Sequence, residues 1–405
     1  MSWRRPMPES DPMRQLKALS LATVAFFTCF YVWALYGPLS PVLQQDLGLT
    51  EVQVGWLVAI PVILGSLMRV PMGVLTDRYG ARRTFPPLMG FTTLTLLALA
   101  VWHLSFAGLV AFGFLMGFAG ASFAVGVPFV SRWYPKARQG FALGVYGMGM
   151  GGTVLTGLTA PFIAQTWGLA APFIAGAVLV LAVGLGFLLL AEEPPAPRPA
   201  AAPWLAPFKV IAGEPRAWAF TLFYFVAFGG FVAMFLYLPQ LLVGVHGLTR
   251  PDAGARAAGF AFLAVLARPL GGYLSDRFSA QQVLYVSFIG TAVLAGVLAL
   301  EYQSMVPLTI SCLTMAVMLG LGTGAVFKLV AGEFPAQVGA MTGVVGAAGG
   351  LGGFFPPLVM ASVKSATGSY TIGFALLAAA ALVCTAILRG MRSSAPSNLT
   401  VPDRT

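Results

Sequence analysis

Two arginines stand where arginine is expensive. Arg69 and Arg268 each lie deep in an apolar run, and each opens a stretch that the chain uses twice, 199 residues apart. The first stretch runs from Arg69 through Gly73 and Leu75 to Asp77-Arg78. The second runs from Arg268 through Gly272 and Leu274 to Asp276-Arg277, with the same residues at the same steps. Each arginine precedes its charged turn by eight residues, a helical depth of about 12 Å. A guanidinium at the centre of a membrane helix costs roughly 2.5–3.5 kcal/mol on insertion scales. The carboxylates Asp46, Glu51, Asp77, Glu192, Glu193, Glu214, Asp252, Asp276, Glu301 and Glu333 all fall at expected helix ends or in loops. No acidic partner therefore shares the depth of the arginines. Two such forks facing one cavity could clamp a planar oxyanion. The alternative for each arginine is to cap backbone carbonyls or to snorkel to the interface.

The frame that positions them follows from composition. The chain has 405 residues, 58% hydrophobic and 9% charged, with a mean hydropathy of +0.85. A soluble domain is about 25% charged. This chain is an all-α membrane protein, because apolar runs of about 20 residues select helices over a barrel. Twelve helices are expected at 18–43, 51–76, 84–102, 107–131, 139–163, 168–191, 216–243, 254–275, 282–300, 304–328, 337–363 and 370–389. Residues 1–191 form an N-terminal six-helix bundle, 192–215 a Pro-rich linker, 216–392 a C-terminal six-helix bundle and 393–405 a polar tail. Lysines and arginines crowd the loops on the side of both termini, while Arg250, Arg256 and Lys364 stand alone on the other. That bias puts the termini and linker in the cytoplasm, with the protein in the cytoplasmic membrane. The net charge of +10 is thus spent on topology, and no nucleic-acid partner is expected.

Glycines repeat at the same offset. The fifth helix carries Gly140, Gly144, Gly147 and Gly151; the eleventh carries Gly339, Gly343, Gly346 and Gly350. Steps of four, three and four put each set on one helix face, where a neighbouring backbone or a small ligand can come close. Two matching six-helix halves are the signature of a parallel-repeat carrier, with its site near the midplane between them.

The turn Gly73-Val-Leu-Thr-Asp77-Arg78-Tyr-Gly80-Ala-Arg82-Arg83 resembles the signature loop of the major facilitator superfamily. Its second-half partner keeps Gly272, Asp276 and Arg277 but lacks the trailing glycine and arginines. Asp77, accepting from helix N-termini and nearby arginines, is expected to latch the halves together with Gly73, Arg78, Arg82, Asp276 and Arg277. The glycine run from Gly339 to Pro357, led in by Phe327-Lys328 and Phe334-Pro335, resembles the nitrate/nitrite porters of that superfamily. The resemblance implies that Arg69 and Arg268 bind the anion and that Tyr224, Phe123 and Phe228 line its pocket. Tyr224 could donate a hydrogen bond, while Phe123 and Phe228 could sandwich a flat anion. Gly144, Gly147, Gly343 and Gly346 complete the candidate site. Where that family often carries asparagines, this chain has none: its sole asparagine is Asn398, and Ser122 precedes Phe123. The choice among small oxyanions stays open.

The reading is a secondary transporter exchanging nitrate for nitrite by alternating access. Nitrate/proton symport on the same fold is the alternative, and a non-transporting membrane sensor is a third class. His103 and His246 fall in expected external loops, so neither suggests a buried proton relay. Lys328, at the cytoplasmic end of the tenth helix, reads as an interface anchor, the alternative being a charge that concentrates anions at the mouth. Cys29, Cys312 and Cys384 lie in apolar runs, without disulfide or metal spacing. No nucleophile–base pair or phosphate loop is present, so no enzyme activity, cofactor or metal is expected. The expected partners are the anion and the bilayer, with the protein a monomer.

Overall fold

The computed structural model describes residues 11–194 and 213–393, except for the side chains of 51, 52, 250, 251, 356–362, 364–366, 392 and 393. The tail and most of the expected linker lie outside the described residues. Among those described there are twelve helices long and apolar enough to cross a bilayer, and no strand. They are α1 (Pro12–Leu47), α2 (Gln53–Tyr79), α3 (Ala81–Trp102), α4 (Phe106–Trp133), α5 (Gln139–Trp167) and α6 (Ala171–Leu190). The second half contributes α7 (Pro215–His246), α8 (Asp252–Arg277), α9 (Ala280–Glu301), α10 (Met305–Glu333), α11 (Val338–Phe355) and α12 (Thr371–Met391). The α10 span is the most buried and α12 the least. Its face explains why so many large apolar side chains remain exposed: lipid, not water, is their solvent.

The helices depart from the expected limits where backbone chemistry breaks them. The α1 span starts earlier and turns at Ala34–Leu35. Pro38 has no N–H for the Ala34 carbonyl, and the Gly37 N–H takes it instead. Likewise α2 is interrupted at Met68, four residues before Met72 and next to Arg69, because Pro71 cannot donate to Leu67. The glycine-rich middles of α4 and α5 tighten into 3-10 turns, Gly117–Ala121 and Met148–Gly151. Their counterparts α10 and α11 run on as unbroken α-helices. A mid-helix 3-10 segment often marks a functional hinge.

The halves meet through α2 with α11 and α5 with α8, supported by α4 against α11 and α5 against α10. These contacts are backbone on backbone. A Cβ at Gly73 would lie 2.0 Å from the Gly339 carbonyl oxygen, and one at Gly272 would lie 2.0 Å from that of Gly140. Small residues are what such an approach requires. At Gly80, which follows the first charged turn, φ is +83° and a side chain would also strike Glu193. The matching turn of the second half ends at Ser279 with extended backbone, so it needs no glycine there.

Candidate functional site

Arg69 and Arg268 both point inward and are 3% exposed. Their surroundings differ. Arg69 follows the break in α2, and its Nε donates to the Gly120 carbonyl at 3.1 Å. Its Nη1 donates to the Gly346 carbonyl across the interface. Capping of carbonyls, the alternative raised by the sequence, thus describes Arg69 in this state. Arg268 has no carbonyl partner among the described residues. One of its terminal nitrogens meets Met150 Sδ, the other lies 3.4 Å from the Tyr224 hydroxyl, and its Nε is buried with no partner. No carboxylate reaches either guanidinium among the described residues. The two guanidiniums border the same aromatic pair, Arg268 at the Tyr224 hydroxyl and Arg69 at the Phe228 ring. A buried cation without an acceptor is costly unless something negative joins it.

The glycines set how closely the arginines approach. A Cβ at Gly147 would lie 2.8 Å from Arg268 Nε, and one at Gly346 would lie 3.2 Å from Arg69 Cδ. Gly144 and Gly343 sit one turn away against backbone, each with its Cβ position 2.6 Å from the carbonyl oxygen of the opposing arginine. Gly147 and Gly346 therefore border the charged groups, whereas Gly144 and Gly343 set the helix spacing.

Aromatic rings surround the guanidiniums. Tyr224 and Phe228, one turn apart on α7, stack at 5.3 Å and 12°. Arg69 Cζ lies 6.0 Å from the Phe228 ring centre, within cation–π range. Phe123 lies parallel to Tyr224 at 6.2 Å and 6°. Phe123 and Phe228, the rings expected to pack an anion, both stack on Tyr224. Phe327 of α10 packs edge-on against both Phe123, at 4.7 Å, and Tyr224, at 4.6 Å. Tyr146 stacks on Phe26 at 5.0 Å and donates to the Ser122 carbonyl at 2.9 Å, which fixes the backbone that carries Phe123. Sequence reasoning missed Phe327, Tyr146 and Met150 as site residues. The first stands just before the eleventh-helix glycine run, and the second lies among the fifth-helix glycines in sequence but points into its own half. Nothing in the sequence sets Met150 apart from the other methionines.

One end of the bundle is shut. The Asp77 carboxylate accepts from the N–H groups of Gly339 and Ala340 at 3.0 and 2.9 Å, at the start of α11. Asp276 accepts from those of Gly140 and Phe141 at 2.8 and 2.7 Å, at the start of α5. Each carboxylate thus caps the N-terminus of a helix in the other half, where the helix dipole also favours it. Lys328 is placed differently from the expected interface anchor. Its ammonium lies 2.6 Å from Asp276 and also donates to the Lys136 carbonyl of the other half. The other members of the expected latch divide. Gly73 takes part directly, as the point where the two backbones touch. Arg78 sits on the last turn of α2, half-buried. Arg82 bonds within its own half, its N–H to Glu193 at 2.8 Å and its Nε to the Leu188 carbonyl at 3.2 Å. Arg277 reaches only Tyr273 on its own helix among the described contacts. His103 and His246 are near the opposite ends of α3 and α7, each against a backbone carbonyl.

The family profile described as Major Facilitator Superfamily matches residues 22–357 and 246–402. The chain belongs to the major facilitator superfamily. Within that superfamily it is similar to a probable nitrate/nitrite transporter NarK2 of Mycobacterium tuberculosis, with 43% identity over 92% of this chain and 95% of the relative. It is 40% identical to the nitrite extrusion protein of Bacillus subtilis, over 91% of this chain and 92% of that one. A probable nitrate transporter NarT of Staphylococcus haemolyticus is 38% identical, over 89% and 92%. Among solved structures, the human organic anion transporter MFSD10 superposes with a TM-score of 0.77 at 16% identity, covering 93% of this chain and all of that one. FucP, in the outward conformation, superposes at 0.74 and 17%, covering 92% and 99%. Identities this low attest the fold alone. It is the major facilitator fold, a multi-pass helical membrane architecture of transporters rather than enzymes, and it is the one the sequence implied.

Proposed function

We propose that this chain exchanges nitrate for nitrite across the cytoplasmic membrane by alternating access, as a monomer with both termini in the cytoplasm. Arg69 and Arg268 hold the anion, Tyr224 donates to it, and Phe123, Phe228 and Phe327 exclude water around it. The observation that carries the reading is the Arg268 guanidinium: a buried cation with, among the described residues, only a phenol and a thioether as partners. A small oxyanion supplies the missing acceptors and neutralises the repulsion between the two arginines. The names of the relatives, nitrate/nitrite transporter and nitrite extrusion protein, support nitrate and nitrite as the anions.

Exchange follows from the same charge argument. An empty carrier has to bury two mutually repelling guanidiniums to cross between states, which the loaded carrier avoids. The bias of loop charge supports a cytoplasmic position for the shut end, with Asp77 and Asp276. The two glycine faces, Gly140 to Gly151 and Gly339 to Gly350, are the surfaces on which the halves rock.

Purified protein in liposomes loaded with nitrite, with labelled nitrate outside, tests the proposal. Nitrate should enter only when nitrite or nitrate is inside. Robust uptake into anion-free liposomes under a pH gradient would overturn exchange in favour of proton symport.

A further inference from the structure

The two deep arginines match in sequence but not in what holds them. Arg69 donates to two backbone carbonyls, those of Gly120 and Gly346. Arg268 meets the Met150 thioether, a Tyr224 hydroxyl at 3.4 Å, and nothing at Nε. The repeat does not call for a methionine here. The position 199 residues later is Gly349, packed so that a Cβ would lie 2.3 Å from Tyr224 Cδ1. Met150 itself is 4% exposed and lies in the 3-10 turn Met148–Gly151, where α5 departs from its counterpart α11. That turn aims the thioether at a buried cation whose one oxygen partner, among the described residues, is a hydroxyl at 3.4 Å.

Resting on the anion-site reading above, we infer that Met150 is a stand-in acceptor: it holds Arg268 while the site is empty and yields the guanidinium to the anion on binding. The chemistry of sulfur suits this task. A thioether is a weak, neutral acceptor, whereas a hydrogen bond from a guanidinium to an oxyanion is charge-assisted and about twice as strong as a neutral one. The anion therefore wins the exchange. An amide or carbonyl oxygen at the same point would compete harder for the fork, and a carboxylate would cancel the charge. Methionine is also unbranched, with three rotatable side-chain bonds, so its tip can swing clear. Gly149 and Gly151 flank it directly in sequence, so no side chain stands immediately beside it along the turn. Met150 is thus a positioning residue that sets affinity through what the anion has to displace.

Two full-length variants test this. Met150→Gln supplies an oxygen acceptor of similar length; Met150→Leu keeps the bulk and removes the acceptor. Each is read in nitrate/nitrite exchange for KM and maximal rate, and in detergent for the nitrate-dependent rise in melting temperature. Met150→Gln should raise KM about tenfold with the maximal rate little changed, the low end for one hydrogen bond made by a charged donor. Met150→Leu should leave KM at or below the wild-type value, lower the melting temperature of the anion-free protein, and recover it in nitrate. Equal KM shifts in both variants, or a wild-type KM in Met150→Gln, would overturn the inference while leaving the anion site intact. If Met150→Leu loses folding, the Met150→Gln KM alone still decides. Wild-type protein that neither exchanges nor is stabilised by nitrate would instead bring down the anion-site reading itself.

Discussion

Replacing one glycine hydrogen at the shut end should hold it open. Gly272→Ala puts a methyl 2.0 Å from the Gly140 carbonyl oxygen and 3.1 Å from the Phe141 nitrogen. Both atoms are backbone, in the turn whose N–H groups Asp276 binds, so no side chain can step aside. Restoring an ordinary contact takes a separation of about 1 Å, an overpacking that costs about 1–3 kcal/mol. The same movement stretches the 2.8 and 2.7 Å bonds to Asp276 beyond hydrogen-bonding range, and such bonds to a charged group contribute about 1.5–3 kcal/mol each. Even a combined penalty of about 3 kcal/mol moves the closed-to-open ratio roughly a hundredfold. Spin labels at Ala137 and Phe278, exposed residues on opposite halves at this end, would report it as a shift to longer distances, with a matching fall in exchange. Gly186→Ala, with open space around it, is the control and should change neither. A wild-type distance distribution and wild-type exchange in Gly272→Ala would refute the view that backbone contact at this point makes the closed state.

The carboxylates of that end should differ in weight. Asp276→Asn should open the labelled distance further than Asp77→Asn, because Asp276 also carries Lys328 at 2.6 Å; equal shifts would remove Lys328 from the gate. Lys328→Met should move the distance in the same direction by a smaller amount. Arg69→Lys and Arg268→Lys should each cut exchange by about tenfold or more, since an ammonium cannot present the planar fork, and near-normal nitrite efflux from either would refute the clamp. Tyr224→Phe keeps the stack on Phe228 and deletes the hydroxyl beside Arg268, so KM should rise about tenfold, the low end for one hydrogen bond to a charged group.

What could be seen in the chain was whatever repeats. Arg69 with Arg268, Gly73 with Gly272, Asp77 with Asp276 and the two glycine faces all stand at one offset, and a repeat of that length declares two halves that pack against each other. The twelve spans were equally plain, because a bilayer demands long apolar helices and tolerates little else. What stayed hidden was each departure from the repeat. Phe129 occupies in α4 the position that Lys328 occupies in α10, so no symmetry argument could find the ion pair at Asp276. Pro71 and Pro269 follow their arginines at different distances; the first coincides with a broken α2, while the second sits inside a continuous α8. The glycine runs of α5 and α11 have the same spacing, yet only α5 tightens into a 3-10 turn and brings Met150 onto Arg268. Glycine permits either geometry at little cost, so tertiary packing makes the choice. One arginine is tied to backbone on both sides of the interface and the other is left to a weak acceptor, so on the proposed reading an anion entering between them finds a fixed wall and a movable arm.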